Sequence, residues 1–146
     1  MRAVAAEALV ALDAEDALGL WTDPGRWATF VEGFARVVQR DERWPAEGAK
    51  LVWESTPDGR GRVTEKVVER RPGVIRTHVF EDRLQGTQTA RCDDERFRLE
   101  LEYELTGGGP LRAVTDALFI RRALRDMLRR TVRRFAVEAE EEAALR

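Results

Sequence analysis

The chain has 146 residues, 43% of them hydrophobic and 36% charged, and a formal net charge of −2. That length implies a single domain, 1–146, able to bury its own core without a covalent staple. A lone cysteine, Cys92, and a lone histidine, His78, exclude an internal disulfide framework and a multi-histidine metal centre. Neither a metal nor a cofactor is expected. The near-neutral charge creates no global field toward nucleic acid or anionic lipid. No apolar run approaches the ~20 residues of a membrane span, so stable membrane insertion is not expected. Glu7 interrupts the stretch that an export signal would keep apolar, which predicts a cytoplasmic protein. Only Lys50 and Lys66 among the 25 basic residues are lysine, a bias that fits a GC-rich bacterial genome.

In chain order, Val4, Ala6, Ala8, Val10 and Leu12 alternate with Glu7 on the opposite side, which predicts a first strand over Val4 to Leu12. Asp13 offers an N-cap to a short helix, Ala14 to Trp21. Asp23-Pro24-Gly25 starts a second short helical patch carrying Trp27, Phe30 and Val31, ended by Gly33. Strands are expected over Arg36 to Asp41, Lys50 to Thr56, Arg62 to Arg70, Val74 to Asp82 and Thr87 to Asp93. Pro57-Asp58-Gly59 and Arg71-Pro72-Gly73 supply turns between them. Phe97, Leu99, Leu101, Tyr103 and Leu105 alternate with Arg98, Glu100, Glu102 and Glu104, the pattern of an antiparallel sheet covered on one face only.

Thr106 to Pro110 breaks the sheet, and Pro110 to about Glu142 reads as one helix. Its Ala113, Ala117, Ile120, Leu124, Met127, Leu128, Thr131 and Phe135 fall in one sector. This helix is the only element able to cover the apolar face of the sheet, so its sector should meet Phe97, Leu99, Leu101, Tyr103 and Leu105. Beyond about Val137 the four Glu oppose the helix dipole, which predicts disorder or a protruding end.

That order of elements resembles the START-like (SRPBCC, polyketide cyclase/dehydrase and lipid transport) superfamily. Leu20-Trp21-Thr22-Asp23-Pro24-Gly25-Arg26-Trp27 is similar to its segment between two short helices. Gly48 before Lys50-Leu51-Val52-Trp53, and Leu118 to Leu124 leading into the last helix, add to the likeness. The resemblance implies an α+β helix-grip (Bet v 1-like) fold. In it a curved antiparallel sheet of about seven strands wraps a long C-terminal helix, with two short helices after the first strand. It also implies a cavity between sheet and helix for lipids, polyketides or other apolar molecules.

Within such a cavity Arg121 is the first candidate, because it lies inside the apolar sector, where a guanidinium would bind a ligand carboxylate or oxyanion. The alternative is a stem packed on apolar neighbours with its head in solvent. Trp53 and Tyr103 combine an apolar body with a polar tip. Leu124, Met127, Leu128, Trp27 and Phe30 would form the wall. His78 is the only side chain with an unperturbed pKa suited to proton transfer near neutrality, if the strand register turns it inward. Glu54, Glu65 and Asp82 are strand acids without a diagnostic partner. Cys92 is expected to be inert.

Seven Arg occur between Arg121 and Arg134, opposed only by Asp126. No aromatic residue interleaves there, so a solvated face or an oligomer contact is favoured over nucleic acid. The expected function is binding of a small hydrophobic or amphipathic molecule. The alternatives are a polyketide aromatase/cyclase-type enzyme and an interaction module using the Arg-rich helix.

Overall fold

The computed structural model describes residues 2–106 and 113–146, with the side chains of the last helix from residue 117 onward. The alternation at the end of the sheet forms β7 (Arg96–Leu105), whose Phe97, Leu99, Leu101 and Tyr103 are buried while the intervening charges face out. Before it come β1 (Arg2–Leu9), β2 (Phe34–Arg40), β3 (Lys50–Ser55), β4 (Arg62–Arg71), β5 (Val74–Phe80) and β6 (Leu84–Asp93). They form one sheet in the order β1-β7-β6-β5-β4-β3-β2, antiparallel throughout. The β4–β5 hairpin turns at Gly73, whose φ is 78° and where a Cβ would lie 2.9 Å from the Cys92 carbonyl oxygen, so only glycine closes it without strain.

Two short helices follow β1. In α1 (Ala14–Trp21) the Asp13 carboxylate caps the first turn, accepting from the Asp16 amide at 2.9 Å. Asp23 caps the 3-10 turn Pro24–Arg26, which leads into α2 (Trp27–Phe30). The long α3 (Ala113–Ala144) then lies along the sheet, chiefly against β1. Its Leu124, Leu128, Val132 and Phe135 join Phe97, Leu99, Leu101 and Tyr103 in one core, with Ile120 and Leu105 packed at the margin. The expected meeting of the two apolar sets is therefore observed. Phe135 lies against Phe97 in a tilted pair, 4.3 Å between ring centroids, and meets Phe30 at 5.1 Å and Trp21 at 5.5 Å.

Three expectations are corrected. β1 ends at Leu9 rather than Leu12: Val10 donates to the Glu95 carbonyl, and Val10 and Leu12 are buried in the connection to α1. β6 begins at Leu84, running through Gly86, where a Cβ would collide with the Glu102 carbonyl oxygen at 2.1 Å; glycine here admits the neighbouring backbone rather than making a turn. Finally, α3 continues well past Val137. Ala139 is fully buried, and Glu138 and Glu142 both pair with Arg26, so partners from the short helices offset the unfavourable dipole. The expected break and helix start at Thr106 to Pro110 lie, beyond Thr106, outside the described residues. No helix among the described residues is long and apolar enough to cross a membrane.

Candidate functional site

Strands β3 to β6 each place a polar group on the inner face of the sheet: Trp53, Glu65, Thr77 and Gln88. The register sets Thr77 opposite Gln88, and sets Glu65 diagonal to both Trp53 and Thr77. Diagonal neighbours lie within reach of long side chains. The Trp53 Nε1–H donates to Glu65 Oε2 at 2.8 Å, and the Thr77 hydroxyl donates to Glu65 Oε1 at 3.2 Å. Glu65 is thus held at both oxygens deep inside the sheet's concave face, only 6% exposed.

Above it, the β3–β4 turn carries Arg60 back over the indole, its guanidinium carbon 5.4 Å from the Trp53 ring centroid. This arrangement favours a cation over the negative face of the ring. Arg60 Nε–H donates to Glu81 Oε2 at 2.5 Å, with the two side chains only 14% and 5% exposed. Arg60 Nη2 is buried with no hydrogen-bond partner among the described residues. A guanidinium carries five donors, and an unmet one in the interior is a position where an acceptor would be held strongly.

Arg60 and Glu65 share the lining of a small cavity with Trp21, Trp27, Gln88, Leu99, Met127 and Leu128. Its volume is about 20 Å³, room for about one water. A second void of about 10 Å³ lies behind it and shares Trp21, Trp27, Glu65 and Gln88. Among the described residues, the expected cavity between sheet and α3 is therefore present but small. The reason is aromatic filling: Trp27 meets Trp53 at 6.3 Å, Trp44 at 6.2 Å and Phe34 at 5.9 Å. The Trp27 and Trp44 indoles are locked by N–H donation to the Trp21 and Thr22 carbonyls at 2.7 and 2.9 Å.

Of the residues singled out from the sequence, Trp27, Trp53, Met127 and Leu128 line this cavity. Phe30, Leu124 and Tyr103 are buried in the surrounding core, and the Tyr103 hydroxyl has no partner among the described residues. Arg121 is exposed, which corrects its placement at the polar end of a pocket. It lies five full turns before Ala139 on the same flank of α3. Ala139 is fully buried and Ala117, one turn before Arg121, is buried as well, so it is the long Arg121 side chain itself that stands out into solvent. His78 is also exposed, on the outer face beside Phe80, because the register turns Thr77 and Val79 inward instead. Glu54 is bound by Arg36 and Arg62 away from the cavity, and Asp82 is exposed.

Sequence reasoning had no means of finding Arg60, which sits in a turn without periodicity. Glu65 did carry a signal: Val63, Glu65 and Val67 share one face of a strand, and an acid at an inward apolar position is unusual. Burial pushes the Glu65 carboxyl above the usual carboxylate range. The Trp53 hydrogen bond, the Arg60 charge and the Thr77 hydrogen bond oppose the rise, and the Glu81 charge adds to it. The protonated form has its own partner, since the Thr77 hydroxyl can turn to accept. Burial likewise raises the Cys92 thiol, assisted by Asp13 and Asp93, in line with an inert cysteine.

A raised carboxyl means that the native state holds a proton which the unfolded chain has released. This contribution is complete below the ordinary Glu value of about 4.3 and is lost as pH rises toward the native value. Stability should therefore fall with rising pH in that window, by up to about 1.4 kcal/mol per pH unit from this group. Glu65→Gln should remove that component. Urea midpoints of both proteins across the acid-to-neutral range provide the check, and parallel pH profiles would contradict the upward shift of the Glu65 carboxyl.

A family model described as polyketide cyclase / dehydrase and lipid transport matches residues 1–140. No curated protein matches the chain. Among solved structures, the di-domain ARO/CYC StfQ from the steffimycin biosynthetic pathway superposes with a TM-score of 0.72 at 22% identity. That match covers 97% of this chain and 51% of StfQ, so the chain spans about half of that protein. A norcoclaurine synthase point mutant from Thalictrum flavum superposes with a TM-score of 0.65 at 14% identity, over 97% of this chain and 95% of that one. TTHA0849 from Thermus thermophilus gives 0.66 at 15% identity, over 99% and 97%. At these identities the likenesses show the helix-grip fold and nothing finer.

Proposed function

Because the chain belongs to the polyketide cyclase / dehydrase and lipid transport family, we propose that the space between sheet and α3 receives a small amphipathic molecule. Its polar end, a carboxylate, phenolate or polarised carbonyl, meets Arg60. The observation that carries this reading is the buried Arg60 Nη2, without a partner among the described residues, on a side chain that lines the cavity beside Glu65. The apolar body of the ligand lies against Trp27, Leu99, Met127 and Leu128. Entry requires the cavity to widen, and Met127 is the wall residue suited to yield, being half-buried, unbranched and freely rotating.

Arg60→Lys tests the proposal, because a lysine keeps a positive charge near Glu81 yet lacks the fork that presents the spare N–H. Binding of 2-naphthoate, read by quenching of Trp21, Trp27 and Trp53, should weaken about 10- to 100-fold, the equivalent of one charge-assisted hydrogen bond. Binding of 2-methylnaphthalene, which lacks the acceptor, should be unchanged. Equal affinity of both proteins for naphthoate would overturn the role of Arg60.

A catalytic reading draws on Glu65, whose carboxyl burial shifts toward the protonated form. A carboxyl that keeps its proton inside an apolar site can protonate a developing oxyanion or carbanion, with Arg60 stabilising the negative charge. Such a pairing suits a cyclising or dehydrating reaction on a carbonyl chain. In that case Glu65→Gln should abolish turnover and leave binding within a few fold.

A further inference from the structure

We infer that this protein pairs with a second copy of itself through the outer edge of β1 and the flank of α3 beside it. The two edges of the sheet are built differently. At β2 the pairing with β3 shifts register twice, between Phe34 and Arg36 and between Val37 and Gln39, and the strand carries Arg36 and Arg40. Bulges and charges of this kind protect an edge against pairing with another strand. By contrast, β1 pairs with β7 in unbroken register over eight residues, Arg2 to Leu9. Between Ala3 and Leu9 it holds only Ala, Val, Leu and one Glu, with no bulge and no proline to blunt its free side.

Beside that edge runs an open groove of about 850 Å³, floored by residues 5–11 and walled by Arg129, Arg133, Val137 and Glu140 of α3. At a rise of about 3.3 Å per residue, a strand spacing of about 4.8 Å and a sheet thickness of about 10 Å, that volume matches about five residues of added strand. Leu9 and Val137, 70% and 53% exposed, stand at its borders as apolar surface with nothing packed on it.

The charges choose the occupant. On the opposite flank of α3, Arg130 and Arg134 both pair with Glu32. On the groove flank, Arg129 and Arg133 have no ion pair among the described residues, and Glu140 follows two turns after Arg133, while the other charges of the groove, Glu7 and Arg98, already pair with each other. A stripe with its positive end first and its negative end last is complementary to itself when inverted. A two-fold axis between Ala136 and Val137 sets Arg133 of each copy against Glu140 of the other. The same axis pairs the β1 strands antiparallel and continues the sheet across the dimer. An acidic or basic partner peptide would match only half of this stripe.

The test is the oligomeric state in solution by sedimentation velocity, with folding checked by circular dichroism. The full chain should show a concentration-dependent dimer. Arg133→Glu and Glu140→Arg, both on exposed side chains, should each raise the dimer dissociation constant about tenfold or more by setting like charges together. An equimolar mixture of the two variants should dimerise again, because each then meets the opposite charge in the other. A wild-type chain that stays monomeric at the highest soluble concentration overturns the inference and leaves the groove to a foreign strand. A dimer indifferent to both substitutions, or a mixture that fails to recover, overturns it equally.

Discussion

Phe135→Ala is expected to destabilise the protein by about 3–5 kcal/mol, the range for removing a buried aromatic side chain. Phe135 is fully buried where α3 crosses the sheet, and its ring touches Phe97, Phe30 and Trp21 from three separate elements. Those neighbours are fixed by the sheet and by the locked short helices, so the space left behind collapses poorly and the cavity contribution stays high. A domain of this size holds about 5–15 kcal/mol in total, so one substitution removes a large fraction of it. Phe119→Ala serves as the control, because Phe119 is 74% exposed on the same helix and should change stability by less than about 0.5 kcal/mol. Urea unfolding of both variants decides the matter: similar midpoints would mean that α3 does not anchor the core at Phe135.

Arg60→Leu should cost about 3–5 kcal/mol by stranding Glu81, a carboxylate only 5% exposed, without its cation. Glu81→Leu should cost a comparable amount by stranding Arg60 under the β3–β4 turn. The double substitution should recover most of either loss, since two apolar side chains of similar size need no compensation inside the protein. Independent, additive costs would show that the pair is solvated and that Arg60 is not an interior charge. The cycle also bears on the ligand site, because the spare donor of Arg60 has value only where water does not already satisfy it. Arg60→Lys is the variant suited to binding work for the same reason: it preserves the pairing that stability requires.

Much of the architecture was legible in local pattern. The period-two alternation of Phe97 to Leu105, the apolar sector of α3, the Asp13 and Asp23 caps and the glycine turns each depend on neighbours a few residues apart. Such neighbours set strand, helix and turn before any tertiary contact forms. The composition also bounded the chemistry, since one cysteine and one histidine leave carboxylates and guanidinium groups to do what the interior requires.

Only the tertiary structure decided which of those groups lies inside. Periodicity places Arg121 in the apolar sector, but a wheel cannot say whether a long charged side chain there turns inward or out to solvent. Ala117 and Ala139 are buried beside that flank, whereas the Arg121 side chain between them reaches solvent. His78 and Thr77 exchange roles through a single step of strand register, which is set by pairing with β4 and β6 rather than by their own sequence. Arg60 has no pattern at all; a turn happens to fold over Trp53, and Glu81, 21 residues away, holds it there. Glu138 and Glu142 look unfavourable at a helix end until Arg26, 112 and 116 residues earlier in the chain, is brought beside them. In each case the deciding partner lies far along the sequence, so its effect exists only after the chain has closed the loop that joins them.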